Sequence, residues 1–350
     1  MEIKIRENWI DFLKGIAILC VIAGHSNLSA EATNIIYMFH MPIFFIISGY
    51  LSYLRPIDKS LTLSQTIVHK GKSLMYPYYV FGILIVIYNT IIAGFLRTGT
   101  SYSWVKGIVA LIYGNYIWDN NVQYIGTLWF LAALFSVVFI VKLTDKFLGG
   151  GRSRYLFIVF TFAVMGIGLS VINIYMKIRL PLCIDIACFA FLFYLAGRKL
   201  YAIWRRYTNV YLTLITMLIG FAIGESNQYF IEITHLYSNS HVDMLYMNYG
   251  LFPLFLTSAT MISFAFMSLT EAFYKSYKSS FVEHIGRISL LIMVIHLYIL
   301  QIVGHLFKNI SIPHKFFLVF LCTIFISILL SIIVEKCFPI LYKYPNRSSK

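Results

Sequence analysis

The amino-acid sequence predicts an all-α protein, a polytopic transmembrane helical bundle of about ten spans with both termini cytoplasmic. Three observations lead there. Charged residues make up only 12% of the 350, against 59% apolar and 17% aromatic, whereas an average soluble domain carries about 25% charged residues. A chain with so little ionic surface is solvated by lipid, and a soluble globule, a disordered chain and a secreted disulfide scaffold are excluded together. Apolar windows long enough to cross a bilayer recur along the whole length. Lys and Arg, finally, concentrate in alternate loops.

A crossing helix needs about 20 mostly apolar residues. In chain order the windows are Trp9–Leu28, Ile35–Leu54, Leu74–Leu96, Tyr124–Leu143, Tyr155–Tyr175, Leu180–Leu200, Val210–Gly224, Leu245–Leu269, Gly286–His305 and Lys315–Ile340. The seventh is short. The apolar piece Ile108–Trp118 is too short to cross and reads as interfacial or re-entrant. With the N-terminus inside, outward segments hold only Arg97, Lys106, Lys177, Arg179, Lys308 and Lys315, and Lys14 lies within a span; the remaining 21 of the 28 Lys and Arg face inward. That is the positive-inside pattern, which eight or twelve spans would scramble. The net charge of +14 thus belongs to loops against anionic lipid and not to a nucleic-acid-binding face.

The basic start, apolar Ile16–Ala23 and small Ser29 and Ala30 also match a cleavable signal peptide. Asp11 and Lys14 interrupt that segment and nine more spans follow, so it is read as a retained span. No internal repeat or low-complexity tract breaks the chain, and residues 1–350 read as a single membrane-embedded domain. The five cysteines lie within or at the ends of apolar stretches and form neither a CxxC nor a Cys/His spacing, so no metal is expected.

Ionisable groups within a bilayer are costly and are candidate functional residues by default. The first span carries Asp11, Lys14 and His25. Asp11 and Lys14 are one helical turn apart; Lys14 and His25, eleven residues apart, fall within roughly 20° of each other and about 16 Å apart along the axis. One helix face thus runs from a cation near the cytoplasm to an imidazole in the outer half. A structural alternative is an Asp11–Lys14 helix-end ion pair that snorkels to the surface, with His25 as an interfacial hydrogen-bonder. The functional reading is a conduit, in which Lys14 attracts an anion and His25 serves as general base.

The next span runs the other way and places His40 at the level of His25. Pro42 follows near the helix start, where it is tolerated. Ser48 and Gly49 lie deeper, and small residues there suit close helix packing as much as chemistry. No G-x-S-x-G elbow and no Ser-His-Asp order is present.

Arg6…Trp9–Ile10–Asp11–Phe12–Leu13–Lys14–Gly15–Ile16–Ala17…Gly24–His25–Ser26, followed by Phe39–His40–Met41–Pro42–Ile43–Phe44–Phe45–Ile46–Ile47–Ser48–Gly49–Tyr50–Leu51, resembles the opening of the acyltransferase 3 family. These are bacterial integral-membrane O-acyltransferases, and the chain is most similar to the fucose 4-O-acetylase-like branch. Gly126–Thr127–Leu128–Trp129–Phe130–Leu131, the segment from Leu180 through Asp185 to Gly197, and Ile285–Gly286–Arg287–Ile288–Ser289…His296 extend the likeness over essentially the whole chain. The resemblance implies transfer of an acyl group, usually acetyl, from a cytoplasmic donor to a sugar hydroxyl outside or at a bacterial cytoplasmic membrane. It maps the family's basic-x10-His motif onto Lys14 and His25, with His25 as base and the basic residue in donor handling. Lys14 stands where many relatives have Arg, so a bidentate grip on a diphosphate becomes a point-charge contact. Before Pro77, where relatives commonly carry Arg, this chain has Lys70 and Lys72 in a different register.

The implied layout is a cationic mouth of Arg6, Lys14, Lys70 and Lys72 for the phosphates of acetyl-CoA, with His25 taking the proton of an acceptor hydroxyl. Ser48, Tyr50 or His40 would stabilise the oxyanion. The partners are then an acyl-CoA, a glycan or lipid-linked sugar, and the bilayer. Trp129 and Asp11 are supporting residues; Asp185 would orient a histidine or bind acceptor hydroxyls, unless it is a satisfied helix-end carboxylate. His296 falls mid-span in the ninth window and is a further candidate. Glu225, Glu232, His235, His241 and Asp243 populate an outer loop, Glu225–Met244, which reads as ordinary solvated surface, although its Tyr229 and Tyr237, with the neighbouring Tyr246, also suit carbohydrate. A different class, a secondary transporter or a flippase for a sugar-containing substrate, also accommodates ten spans with buried charge.

Overall fold

The computed structural model of the chain describes residues 7–26, 29–55, 61–96, 103–115, 125–147, 151–236, 240–308 and 315–341. Among them there is no strand, and ten helical stretches are long and apolar enough to cross a membrane.

The first crossing stretch is α1 (Asn8–His25). The second is broken: α2 (Ala30–Tyr37), capped by the Ser29 hydroxyl, ends in a turn over 38–41, and α3 (Pro42–Leu54) begins on the proline, whose missing N–H costs nothing at a helix start. The third begins earlier than hydropathy predicts. A Thr62–Gln65 capping box starts α4 (Leu63–Lys70), which passes through a π turn over Gly71–Met75 into α5 (Tyr76–Leu96). Pro77 lacks the N–H of a regular helical bond, and a π turn absorbs such an interruption without ending the helix. Lys70 and Lys72 therefore lie on a helical stretch. The short apolar piece begins within α6 (Trp104–Tyr113), which starts four residues earlier than predicted and is closed by Gly114 with φ +77°; its last residues, 116–118, lie outside the described residues.

A 3-10 turn over Gly126–Leu128 leads into α7 (Trp129–Phe147), followed by α8 (Arg152–Met176). Another over Pro181–Cys183 leads into α9 (Ile184–Leu195), which continues through a π turn, Ala196–Leu200, into α10 (Tyr201–Tyr207). The seventh crossing helix, α11 (Val210–Thr234), runs ten residues past the predicted end at Gly224. Its polar last part stays helical because the side chains find partners: Asn227 bonds the carbonyl of Tyr249 and the N–H of Leu251, and Gln228 bonds Glu232. Glu225 and Glu232 thus sit on a helix and not in a loop. The chain then turns through an Asp243–Asn248 bridge, so that α12 (Phe252–Ser276) begins seven residues later than predicted. The amphipathic α13 (Ser280–Arg287), α14 (Ser289–Leu306) and α15 (Lys315–Cys337) complete the described chain, before a final 3-10 turn over Pro339–Leu341.

The chain divides into two compact units, one of residues 1–54, 193–243 and 248–333, the other of residues 55–192, 244–247 and 334–350. The first is organised around α1, in which no residue after Asn8 is exposed. Helix α13 lies so close to it that a Cβ on Gly286 would overlap the Asp11 carbonyl, and one on Gly15 would overlap the Val282 carbonyl. Gly49 and Gly197 do the same between α3 and the π turn. In lipid, where apolar helices gain nothing by leaving solvent, such close backbone approach is a main source of helix association. At the start of α1, Arg205 donates to both oxygens of Glu271 at 2.8 and 2.5 Å and to the Tyr50 hydroxyl at 2.8 Å, and stacks over Trp9.

The second unit has its own buried polar centre. Arg179 and Asp185, both almost wholly enclosed, pair at 2.6 Å, and the Asn115 amide donates to Asp185 at 3.0 Å. Leu182 and Cys183 adopt left-handed backbone there (φ +51° each), a strained arrangement for side-chain-bearing residues. The Ser136 hydroxyl holds the Leu182 carbonyl at 2.7 Å and the Cys183 thiol donates to Gly114.

Candidate active site

Four histidines and a tyrosine from separate elements of the first unit converge. His25 closes α1, where the chain is turned by Ser26, whose hydroxyl donates to the Ile22 carbonyl at 2.6 Å. Tyr37 closes α2, and the turn after it presents His40. Helix α14 presents His296, and the 240–251 turn presents His241. Measured between ring centroids, His25 stands 5.4 Å from His296, 6.3 Å from His40 and 5.9 Å from Tyr37. Tyr37 in turn lies edge-on between His40 at 4.5 Å and His241 at 4.4 Å. Gly24 makes room for it, since a Cβ there would sit 3.2 Å from the Tyr37 ring and 3.0 Å from Ile36.

The hydrogen bonds decide which nitrogens are occupied. His40 Nδ1 donates to the Ile36 carbonyl at 3.1 Å, and His296 Nδ1 donates to those of Ile292 and Met293 at 3.1 and 2.8 Å. Each neutral ring therefore carries its proton on Nδ1 and presents Nε2 as an acceptor. His296 is fully buried, and its Nε2 has no partner among the described residues. A buried acceptor without a donor is expensive and marks a place for a ligand's hydrogen-bond donor. His25 differs from both, because its Nδ1 faces the Tyr37 hydroxyl at 3.2 Å. His241 lies outside the crossing helices; its backbone carbonyl accepts from Asn248 at 2.5 Å, and partial burial lowers its pKa below the usual imidazole range. Among the described residues no three His, Cys, Asp or Glu side chains converge closely enough to share a metal ion.

The other sequence candidates are placed elsewhere. Lys14 lies on the same unbroken helix as His25, half-buried, with its ammonium 2.9 Å from Asp11. The Ser48 hydroxyl turns back to the Phe44 carbonyl at 2.8 Å, and the Tyr50 hydroxyl accepts from Arg205; both sit roughly two turns into α3. In the second unit, Asp185 is held by Arg179 and Asn115, Trp129 is buried at the start of α7 against Phe130, Lys70 is half-buried and Lys72 exposed. Arg6 and Tyr237 lie outside the described residues.

Tyr37 is the residue that sequence reasoning missed. It stands three positions before His40, the spacing of neighbours on one helix face, but a chain with 26 tyrosines gives no reason to choose it. His241 was visible only as one polar residue in a polar loop.

A family model described as an acyltransferase domain matches residues 7–336, nearly the whole chain. Nodulation protein NolL of Mesorhizobium japonicum is 29% identical over 153 residues, which make up 41% of this chain and 37% of that protein. The match thus spans little more than a third of the length of this curated relative. No solved structure matches.

Proposed function

The chain belongs to the acyltransferase 3 family, and from that premise we propose that it is a membrane O-acetyltransferase that moves an acetyl group from cytoplasmic acetyl-CoA to a hydroxyl of a cell-surface polysaccharide or glycolipid precursor. His25 is the general base. The observation that carries this reading is the imidazole cluster, in which His25 stands beside a buried His296 nitrogen that has no donor among the described residues. An alcohol supplies the donor that such a site needs.

In the reaction, the His25 Nε2 lone pair takes the acceptor's hydroxyl proton as the oxygen attacks the thioester carbon. The carbonyl electrons move onto oxygen, and their return expels the CoA thiolate, which takes the proton from the His25 imidazolium and leaves as the thiol. Proton transfer of this kind is worth roughly 10²–10⁴-fold. His40 and His296 line the pocket where the acceptor binds. Arg6, Lys14, Lys70 and Lys72 are assigned to the donor's phosphates on their charge and on the family resemblance; Asp11 tempers Lys14 by pairing with it. The cytoplasmic membrane of a bacterium and a fucose 4-O-acetylase-like specificity accord with the same resemblance.

The test is labelled acetyl-CoA supplied to membrane vesicles bearing the wild-type chain or His25→Ala. Label enters glycan with the wild type and falls at least 100-fold with the variant, at equal membrane insertion. Transfer at the wild-type rate by His25→Ala overturns the assignment, and sugar movement without label points to transport instead.

A further inference from the structure

We propose that Tyr37 is the positioning residue of the site: its phenol oxygen accepts a hydrogen bond from His25 Nδ1–H and thereby leaves the Nε2 lone pair of His25 free for the acceptor hydroxyl. This rests on the reading of His25 as the base and adds to it the group that sets its tautomer.

Three features lead to Tyr37. The ring is gripped on two sides, by the imidazoles of His40 and His241 at 4.5 and 4.4 Å, and Gly24 lets it sit against α1. Its hydroxyl is therefore aimed, and it lies 3.2 Å from His25 Nδ1. The two neighbouring histidines solve the same tautomer problem differently, each giving Nδ1–H to a carbonyl of its own helix. His25 makes no such backbone bond among the described residues, so the phenol takes the place of the carbonyl.

A neutral imidazole carries one N–H and one lone pair, and which nitrogen keeps the proton follows the hydrogen bond made by the other. If Tyr37 donated to Nδ1, the His25 proton would sit on Nε2, and the ring would show the acceptor hydroxyl a donor in place of a base. With Nδ1–H donating to the phenol, Nε2 is basic before the reaction. The same contact then stabilises the imidazolium formed during it. Only Nε2 gains and returns a proton; Nδ1 and the phenol keep theirs throughout. An outer partner that fixes the orientation and tautomer of a histidine commonly matters 10–100-fold in the function of the site it supports.

The experiment is Tyr37→Phe in membranes, a change that keeps the ring and both edge contacts and removes one oxygen. The expected result is a kcat for acetyl transfer lowered about 10- to 100-fold, with unchanged KM for acetyl-CoA and an unchanged melting temperature. ¹⁵N-histidine NMR of the wild type, with the His25 signals identified by subtraction of His25→Gln, is expected to show Nδ1 protonated and Nε2 bare. In Tyr37→Phe the proton is expected to spread to Nε2. A residue that merely packs would leave both kcat and the tautomer unmoved. Tyr37→Phe activity within twofold of wild type, or a wild-type His25 protonated at Nε2, overturns the proposal. If His25→Ala abolishes transfer while Tyr37→Phe does not, only the role of Tyr37 falls; if His25→Ala is fully active, the reading of the base falls first.

Discussion

The imidazoles of His25 and His296 face each other with centroids 5.4 Å apart and planes inclined by 35°, although one closes the first crossing helix and the other sits in the middle of the ninth. The Nδ1 of His296 is spent on its own helix, so its Nε2 is left as an acceptor beside the His25 ring. Stability alone does not favour this arrangement, since a buried acceptor left without a donor costs about 1–3 kcal/mol.

Replacement of that ring by an apolar one separates stability from activity. His296→Leu removes the orphaned Nε2 and is expected to hold or raise the melting temperature in detergent, while acetyl transfer falls tenfold or more. A loss of about 2 kcal/mol or more together with unchanged kcat would show that His296 serves packing alone.

Asp185 makes the opposite prediction. It is sealed against Arg179 at 2.6 Å, with 2% and 3% of the two side chains exposed. Breaking a buried pair leaves an uncompensated charge and costs about 3–5 kcal/mol. Asp185→Ala is therefore expected to lower the yield of folded protein sharply, and Arg179→Met in the same chain to restore part of it. Normal folding of Asp185→Ala with a raised KM for the sugar acceptor would instead assign Asp185 to substrate binding.

The glycines separate into those that pack and those that do not. A Cβ on Gly286 would collide with backbone atoms of Asp11, which cannot rotate away, whereas nothing lies within 4 Å of one on Gly168 in α8. Overpacking costs about 1–3 kcal/mol, and the loss of a helical glycine returns up to about 1 kcal/mol. Thermal unfolding is thus expected to show Gly286→Ala destabilised and Gly168→Ala unchanged or stabilised. The reverse order would refute the close seating of α13 on α1.

His241 predicts a pH dependence. Burial lowers its pKa below the ordinary value of 6.5, so as pH falls through that value the unfolded chain takes up a proton that the folded chain resists. Its contribution to stability is present at neutral pH and is lost progressively on acidification. The stability difference between wild type and His241→Gln should therefore move against the wild type between pH 7 and 5, as read by urea unfolding at fixed salt (pH values chosen to span the ordinary imidazole range). A difference that is flat with pH contradicts the burial.

The ten crossing stretches were legible because hydropathy and loop charge are properties of the chain alone, and the bilayer acts on them directly. The boundaries that moved did so where a polar residue found a partner that composition does not show. Asn227 prolongs α11 through contacts with the chain beyond it, Gln228 through its bond to Glu232 one turn on, and the π turn before Pro77 carries a helix through residues too polar to score as a span. Asp185 carried the same intramembrane signal as His25, and only its pairing with Arg179 separates a structural charge from a candidate catalytic one.

By itself, the sequence determined the all-helical membrane class, the single helix that carries Lys14 and His25, and the candidacy of His40 and His296, because each follows from residue spacing and the cost of polarity in lipid. Only the tertiary structure decided that Tyr37 and His241 join them, and which nitrogen of His40 and of His296 is taken. Those facts depend on how closely helices seat against one another, which is governed by glycine contacts such as Gly24 with Tyr37 and Gly286 with Asp11. In a lipid solvent, where one apolar helix face resembles another, hydropathy holds no record of such pairings.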